Sequence, residues 1–500
     1  MENGREAAAK TTVAPSGTLE ACRSPAPMPR WQRPATLFAL MAGVLGWFYL
    51  IVTPPMRAPD ERRHIRRIVQ LASGGVTHPV PIPSGAAELV EAGRIVGRHH
   101  GLRRRSELPY SFRDLSHLAA IQLRADEGVE FAGDRTMEYS PVPYLPAVAI
   151  VWIGIRTNLR PIVLLYASRV TLFVSGVWLL YLAIRLVPDL QWMLCALALL
   201  PTVTFLRSCV SADTLTTAFS FLLFALVVRL RDASRPVERK HLVLLAAVGS
   251  SLALAKIVYL PLTLAVVPVL VHRLGSRRGR YASTALVALL PWVLGMSWLW
   301  ALGDSVAIGD PIRAQPEAQL ALLLHEPARF VHVFMQSWLS PAAMQTMSQW
   351  LVGRLLLMNL RIPWPFVIVC LGLLALLAFA TPASCAPRPL ERGAFLLSAF
   401  ACTLILSLGA YLKWSTLGRE NIQGIQGRYL IPLLPYLSFA LLPPQRLRWR
   451  WSNSLTATVV LVVLLASNLW GVGAIVSSTW GAGVNGRTNV VQPIHGPDAN

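Results

Sequence analysis

Asp60 and Glu61 are adjacent, and His64 follows within one helical turn, in the stretch TPPMRAPDERRHIRRIVQLASGG that begins where the apolar segment 35–52 stops. At these spacings the imidazole shares a helical face with both carboxylates. Two carboxylates and an imidazole suit general acid–base work. The same residue types are open to a divalent cation and to an ordinary hydrogen-bonded cluster. Asp60, next to Pro59, is also a natural cap for the helix that apolar positions 65, 68, 69 and 72 predict. Asp213 in SCVSADTL stands just before an apolar run, where it could be a reactive carboxylate or an N-cap. Lys256, in a short polar break between apolar runs, and Arg428 with Tyr429 in NIQGIQGRYLIPLLP supply candidate phosphate contacts. Arg would bind by a bidentate fork and Lys as a point charge, although both can equally snorkel to headgroups.

The elements that must position these groups follow from composition. Of 500 residues, 54% are apolar and only 14% charged, which excludes an ordinary soluble enzyme and predicts an all-α polytopic membrane protein. The net charge of +21 comes largely from Arg in short loops, so it reads as an orientation signal and not as a nucleic-acid surface. Spans are predicted at 35–52, 162–187, 190–206, 213–228, 242–255, 257–271, 282–302, 363–381, 394–412, 428–443 and 455–476, about eleven in all. Residues 1–34 form a cytoplasmic tail, 35–476 the transmembrane domain, and 477–500 a disordered outer tail.

Segment 140–156, SPVPYLPAVAIVWIGIR, is predicted as an interfacial helix, because Pro141, Pro143 and Pro146 break its first turns and leave too few apolar residues to cross. With that segment uncounted, the basic loops RLRDASRPVERK, RLGSRRGR, PRPLER and QRLRWRW all join the basic N-terminus in the cytoplasm. Asp60, Glu61, His64, Asp213, Lys256 and Arg428 then collect on one outer side, where ionisable groups at a membrane boundary are functional candidates. Two outer regions are long. Residues 54–139 carry 13 Arg against 11 acidic residues, including the basic run RHHGLRRRSE at 98–107. Region 303–362 holds an amphipathic stretch with Trp338 and Trp350 that would lie on the membrane or cover a cavity.

The six cysteines show no paired spacing for a metal or disulfide framework, and no GxSxG, P-loop or HExxH occurs. No specific metal site is predicted beyond a divalent cation at the acidic pair.

A sugar leaving a lipid-linked phosphate would need a carboxylate to deprotonate the acceptor hydroxyl and cations for the departing phosphate. PDERRHIRRIVQLASG, YSPVPYLP, LPTVTFLRSCVSADTLTTAF and IQGRYLIPLLP, in this order from about 37 to 476, resemble the bacterial membrane-protein family catalogued as domain of unknown function 2142. That family is similar to the glycosyltransferase C superfamily, and the resemblance implies a GT-C-like fold with a long first extracytoplasmic loop in a bacterial inner membrane. It implies transfer from a polyprenyl-phosphate-linked sugar to a cell-envelope glycan or lipid acceptor. By the resemblance, Asp60 and Glu61 match the acidic pair after the first span, Asp213 an acidic residue in the second outer loop, and Arg428 a phosphate contact. Tyr139, Ser140, Pro141 and Tyr144 match the start of the proline-bearing interfacial helix, but Ser140-Pro141-Val142-Pro143 lacks the cation found there in many relatives. A transporter or flippase of lipid-linked saccharides would need charge near mid-span, for which Arg169 is the clearest candidate. A non-catalytic scaffold of an envelope-polysaccharide complex would leave the acidic pair as a helix cap only.

Overall fold

A computed structural model describes residues 33–95, 110–130, 135–232, 234, 236–274, 277–303, 315–382, 385–449 and 452–480. The basic run 98–107, nearly all of the N-terminal tail, residues 304–314 and residues 481–500 lie outside the described residues.

The chain opens with α1 (Pro34–Val52), whose Pro34 suits the first helical turn, and reverses through Pro54 and Pro55 into α2 (Glu61–Ala72). α3 (Ser84–Ile95) and α4 (Phe112–Ala120) follow, flanked by a two-stranded antiparallel sheet in which β1 (Ile82–Pro83) pairs with β2 (Gly128–Val129). The predicted face of α2 is buried as its spacing requires: Ile65, Ile68 and Val69 pack with Leu89 of α3 and Leu118 of α4. Tyr144, Ala147 and Val151 complete this cluster. The described residues between 54 and 139 therefore form a folded cap seated on α5 (Leu145–Arg156), the twelve-residue helix predicted to be too short to cross.

Beyond α5 run α6 (Pro161–Leu186), α7 (Gln191–Ala198), α8 (Pro201–Arg207), α9 (Ala212–Arg229), α10 (Arg239–Ala255), α11 (Val267–Arg273) and α12 (Arg277–Leu302). Then come α13 (Pro316–His325), α14 (Pro327–Leu339), α15 (Pro341–Gly353), α16 (Trp364–Ala380), α17 (Pro389–Trp414), α18 (Leu434–Ala440) and α19 (Asn453–Ile475). A hairpin of β3 (Arg354–Leu355) and β4 (Leu360–Arg361) joins α15 to α16.

All eleven predicted spans are helical, but among the described residues only α1, α6, α9, α12, α17 and α19 are long and apolar enough to cross by length and composition. The pair α7–α8, bent by 76°, would make a seventh. Proline accounts for part of the shortfall. Pro261 and Pro432 lie inside 3-10 helices at Ile257–Val266 and Gly427–Leu433, and Pro201 starts α8 after the break. α9 is the innermost span, with 83% of its apolar window buried against 28% for α12. Residues 477–480, predicted within the outer tail, are helical: α19 continues as a helical turn through Val476–Trp480, and Trp480 Nε1 donates to the Val52 carbonyl at 2.8 Å.

The amphipathic stretch of 327–355 forms α14 and α15 and runs into β3; the two helices are broken at Ser340-Pro341, where the Ser340 hydroxyl caps α15. Phe330 and Phe334 of α14 pack on Tyr411 and Phe400 of α17, and α15 lies against the Gly427–Leu433 segment. All five cysteines among the described residues are free and buried; Cys22 lies outside them.

Candidate active site

The site begins in the turn between α1 and α2. Met56 and Asp60 both adopt left-handed backbone, with φ of 63° and 55°. For side chains other than Gly this conformation costs roughly 1–2 kcal/mol per residue, so something must hold it. Glu61 and Arg169 do. Both side chains are fully buried, and Arg169 grips the carboxylate from two nitrogens at 2.8 and 2.7 Å. The remaining donors of Arg169 reach the carbonyls of Leu50, Thr53 and Pro54 at 3.2, 2.8 and 3.1 Å. Glu61 in turn accepts from the amides of Met56 at 3.0 Å and Val210 at 3.2 Å. One buried ion pair thus fastens the Asp60 turn to the loop that leads to Asp213.

Glu61 is accordingly a positioning residue: its oxygens are occupied and no water-borne group reaches them. Arg169, the buried charge expected of a transport pathway, is its partner.

Asp60 occupies the N-cap position of α2 but makes no side-chain capping bond; its carboxylate instead accepts from Arg428 Nη2 at 2.7 Å. The cap of α9 is likewise Ser211, whose hydroxyl accepts from the Asp213 amide, so the Asp213 carboxylate is released. It takes Lys256 Nζ at 3.2 Å and faces Arg428 Nη1 at 3.8 Å. Asp60, Arg428, Asp213 and Lys256 therefore form one chain of alternating charge, drawn from four separate parts of the sequence. The carboxylates lie toward the rim, with Asp60 40% and Asp213 18% exposed, while the Arg428 side chain beneath is only 4% exposed. Arg428 Nε and Nη1 have no hydrogen-bond acceptor among the described residues. Two buried donors of a cation left open in this way cost free energy and are ready for an anionic oxygen.

The two cations are presented alike. Lys256, in extended backbone, caps the 3-10 helix Ile257–Val266, and Arg428 lies in the first turn of the 3-10 helix Gly427–Leu433. Tyr429 binds no carboxylate among the described residues; its ring lies 4.5 Å from Lys256 Nζ, and its carbonyl accepts from the Tyr259 hydroxyl at 2.9 Å. Gly427 is required by close approach, since a Cβ there would stand 2.6 Å from Trp350 Cβ and 2.9 Å from the Met347 carbonyl oxygen of α15.

Among the described residues no hydrogen bond joins His64 to Asp60 or Glu61. Its Nδ1 shares a 2.6 Å hydrogen bond with the Tyr144 hydroxyl, and Tyr139 packs edge-on against its ring. Burial pushes the His64 pKa down from 6.5 to about 4 against the pull of Asp60 and Asp213, so the ring is neutral at neutral pH. Burial would raise the Asp60 carboxyl, but the Arg428 guanidinium, together with His64 and Arg63, outweighs it and holds the pKa at about 2. The interfacial segment keeps Ser140 and Tyr144 buried, with the Ser140 hydroxyl accepting from the Val142 amide. Pro141 begins the turn that leads to the 3-10 helix Val142–Tyr144.

Among the described residues no group of three or more His, Cys, Asp and Glu is placed to hold a metal ion, because His64, Glu61 and Asp60 point to three different partners.

Two residues of the site were not singled out from the sequence. Arg67, fully buried on α2, ties that helix to the carbonyls of Gly75, Val76 and Tyr139. Glu138, next to Tyr139, has a carboxyl raised by burial despite Lys256, Lys413 and Arg63 nearby. Its place directly before the YSPVPYLP block was the available signal.

No curated protein and no solved structure matches the chain. The profile of the predicted membrane protein family DUF2142 matches residues 44–437, from within α1 to within α18, and takes in every residue of the charged cluster. This chain is a multi-pass membrane protein and belongs to the DUF2142 family.

Proposed function

We propose that this protein is a membrane glycosyltransferase that moves a sugar from a polyprenyl-phosphate-linked donor to a cell-envelope glycan or lipid acceptor. The observation that carries the reading is the Asp60–Arg428–Asp213–Lys256 chain at the ends of the spans, with two donors of Arg428 open. The donor lipid would lie among the spans with its phosphate on Arg428 and Lys256. Phosphate binding to Arg428 releases Asp60, whose carboxylate then takes the acceptor hydroxyl proton. The acceptor oxygen bonds to the anomeric carbon as the bond from that carbon to the phosphate oxygen breaks, and the electron pair leaves on the phosphate facing the two cations. The protein would work in a bacterial inner membrane, with its N-terminus in the cytoplasm and the site on the other side.

The test uses purified protein in nanodiscs, radiolabelled undecaprenyl-phosphate sugars and an envelope-lipid extract. Asp60→Asn should abolish label transfer without loss of folded protein. Arg428→Ala should weaken donor binding by about tenfold or more, since it removes a charge-assisted fork. A normal donor affinity in that variant would remove the phosphate role.

One observation favours a transporter of lipid-linked saccharides instead. Arg207 is buried at 2% exposure, its Nε and Nη2 have no hydrogen-bond partner among the described residues, and it lines the same small cavity as Asp213. If no donor in a broad panel turns over but labelled lipid crosses the bilayer, that reading replaces the enzyme.

A further inference from the structure

A second polar site lies at the far end of α9. Asp213 and Arg229 are sixteen residues apart on this one helix, about 24 Å at 1.5 Å per residue. At the Arg229 end a cavity of about 530 Å³ opens between the C-termini of α6 and α9 and the N-terminus of α17. That volume lies within the range of small-molecule sites, roughly 300–1,000 Å³. α6, α9 and α17 are all long and apolar enough to cross a membrane, so a cavity at their ends stands at headgroup level.

The charges in its wall fall into two groups. Arg231 is consumed by the fold: it donates to Glu391 at 3.0 Å and to the Ala386 carbonyl at 2.6 Å. Asp232 accepts from the Ser234 amide and hydroxyl at 3.0 and 2.7 Å. The guanidinium groups of Arg229 and Arg388 and the carboxylate of Asp189 make no hydrogen bond or ion pair among the described residues, and all three line the cavity. Val187 and Val228 supply an apolar part of the wall.

We propose that this cavity binds a phosphoethanolamine group, with Arg229 and Arg388 on the phosphodiester oxygens and Asp189 on the ammonium. The two arginines match a phosphate by charge-assisted hydrogen bonds. Asp189 discriminates among phosphates. A purely anionic headgroup would bring its charge up to this carboxylate, and a choline headgroup has no N–H to donate to it. The apolar wall suits the first carbons of an acyl chain, as in headgroup pockets between transmembrane helices. The same chemistry could arrive on a membrane lipid or as free phosphoethanolamine.

Native mass spectrometry of the full chain in detergent, with phosphatidylethanolamine, phosphatidylcholine or phosphatidylglycerol added, tests this. Wild type should retain phosphatidylethanolamine about tenfold over the other two. The pair Arg229→Gln and Arg388→Gln should lose that retention, and Asp189→Asn should erase the preference over phosphatidylglycerol. Ala386→Trp, which fills the cavity and leaves Arg229, Arg388 and Asp189 in place, should also release the lipid, so a folding defect in the arginine variant does not decide the matter. Displacement of the lipid by free O-phosphoethanolamine would assign the soluble source, and retention in its presence the lipid. Equal retention of all three lipids by wild type, or unchanged retention in both the arginine and the Ala386→Trp variants, overturns the proposal.

Discussion

Asp60 and Glu61 differ by one methylene and one position, yet the fold gives them opposite tasks. Glu61 holds Arg169 in the interior, and Asp60, turned outward by a left-handed backbone, meets Arg428. Glu61→Gln should therefore fail through stability. Breaking one side of a buried ion pair costs roughly 3–5 kcal/mol, because Arg169 is left charged and unmatched. Detergent-solubilised Glu61→Gln should melt well below wild type while Asp60→Asn melts close to it; equal melting temperatures would show that Glu61 is not structural. The adjacency of the pair was legible in the sequence, but the division of labour was not. It depends on a partner 108 residues away on α6 and on the φ of Asp60, neither of which a local pattern encodes. His64 makes a second prediction. Its folded-state pKa of about 4 lies below the ordinary 6.5, so the folded chain resists a proton that the unfolded chain accepts. Its contribution is intact above pH 6.5 and is lost as pH falls toward 4, up to about 3 kcal/mol. His64→Gln should flatten the decline in melting temperature between these limits, and an unchanged slope would place the pH sensitivity elsewhere.

The elements that deliver the cations are not ordinary spans. KIVYLPL and RYLIPLLP each read as the start of an apolar crossing, and hydropathy alone separates neither from an α-helix. Proline decides otherwise: each begins as a 3-10 helix, of ten and seven residues, where runs longer than three or four are uncommon. This tighter winding sets Lys256 and Arg428 at the start of a stiff segment, so their heads converge on Asp213 while the apolar residues that follow pack inward. The proline positions were visible in the sequence, but their consequence needed the neighbours. Gly427 is the point at which this segment touches α15, and it tests the arrangement. Gly427→Leu would drive a side chain into Trp350 and the Met347 carbonyl, and nearby backbone cannot yield cheaply. The variant should lose about 1–3 kcal/mol of stability and carry Arg428 away from Asp60, weakening binding of a phosphate-bearing lipid. A Gly427→Leu protein with wild-type melting and lipid affinity would mean that α15 moves freely against this segment.

At the scale of the whole molecule, charge and length give different answers about crossings, and the difference is physical. Arg-rich loops at 229–240, 273–280, 388–392 and 446–451 predict that all four share a side with the N-terminal tail, which requires an odd number of crossings before each of the outer loops. Among the described residues, six helices are long and apolar enough to cross, or seven with the bent pair, because broken and 3-10 segments are too short or too tightly wound to meet a straight-helix criterion. Such segments can still cross where neighbours satisfy their backbone, as the Pro432 carbonyl is satisfied here by the Ser220 hydroxyl at 2.6 Å. The odd count rests on α5, whose twelve residues span about 18 Å against a hydrocarbon core of about 30 Å. Cysteine labelling separates the cases, because the native cysteines among the described residues are buried. With native Cys22 reporting the N-terminal side, Ser234→Cys should react with a membrane-impermeant maleimide from that same side, and Thr416→Cys only from the other. If Ser234→Cys reacts instead from the side opposite Cys22, Asp213 at the other end of α9 would lie on the N-terminal side, parted from Asp60, which α1 alone carries across the membrane. Such a result would be incompatible with the 2.7 Å contact between Asp60 and Arg428, and would overturn the charged cluster itself.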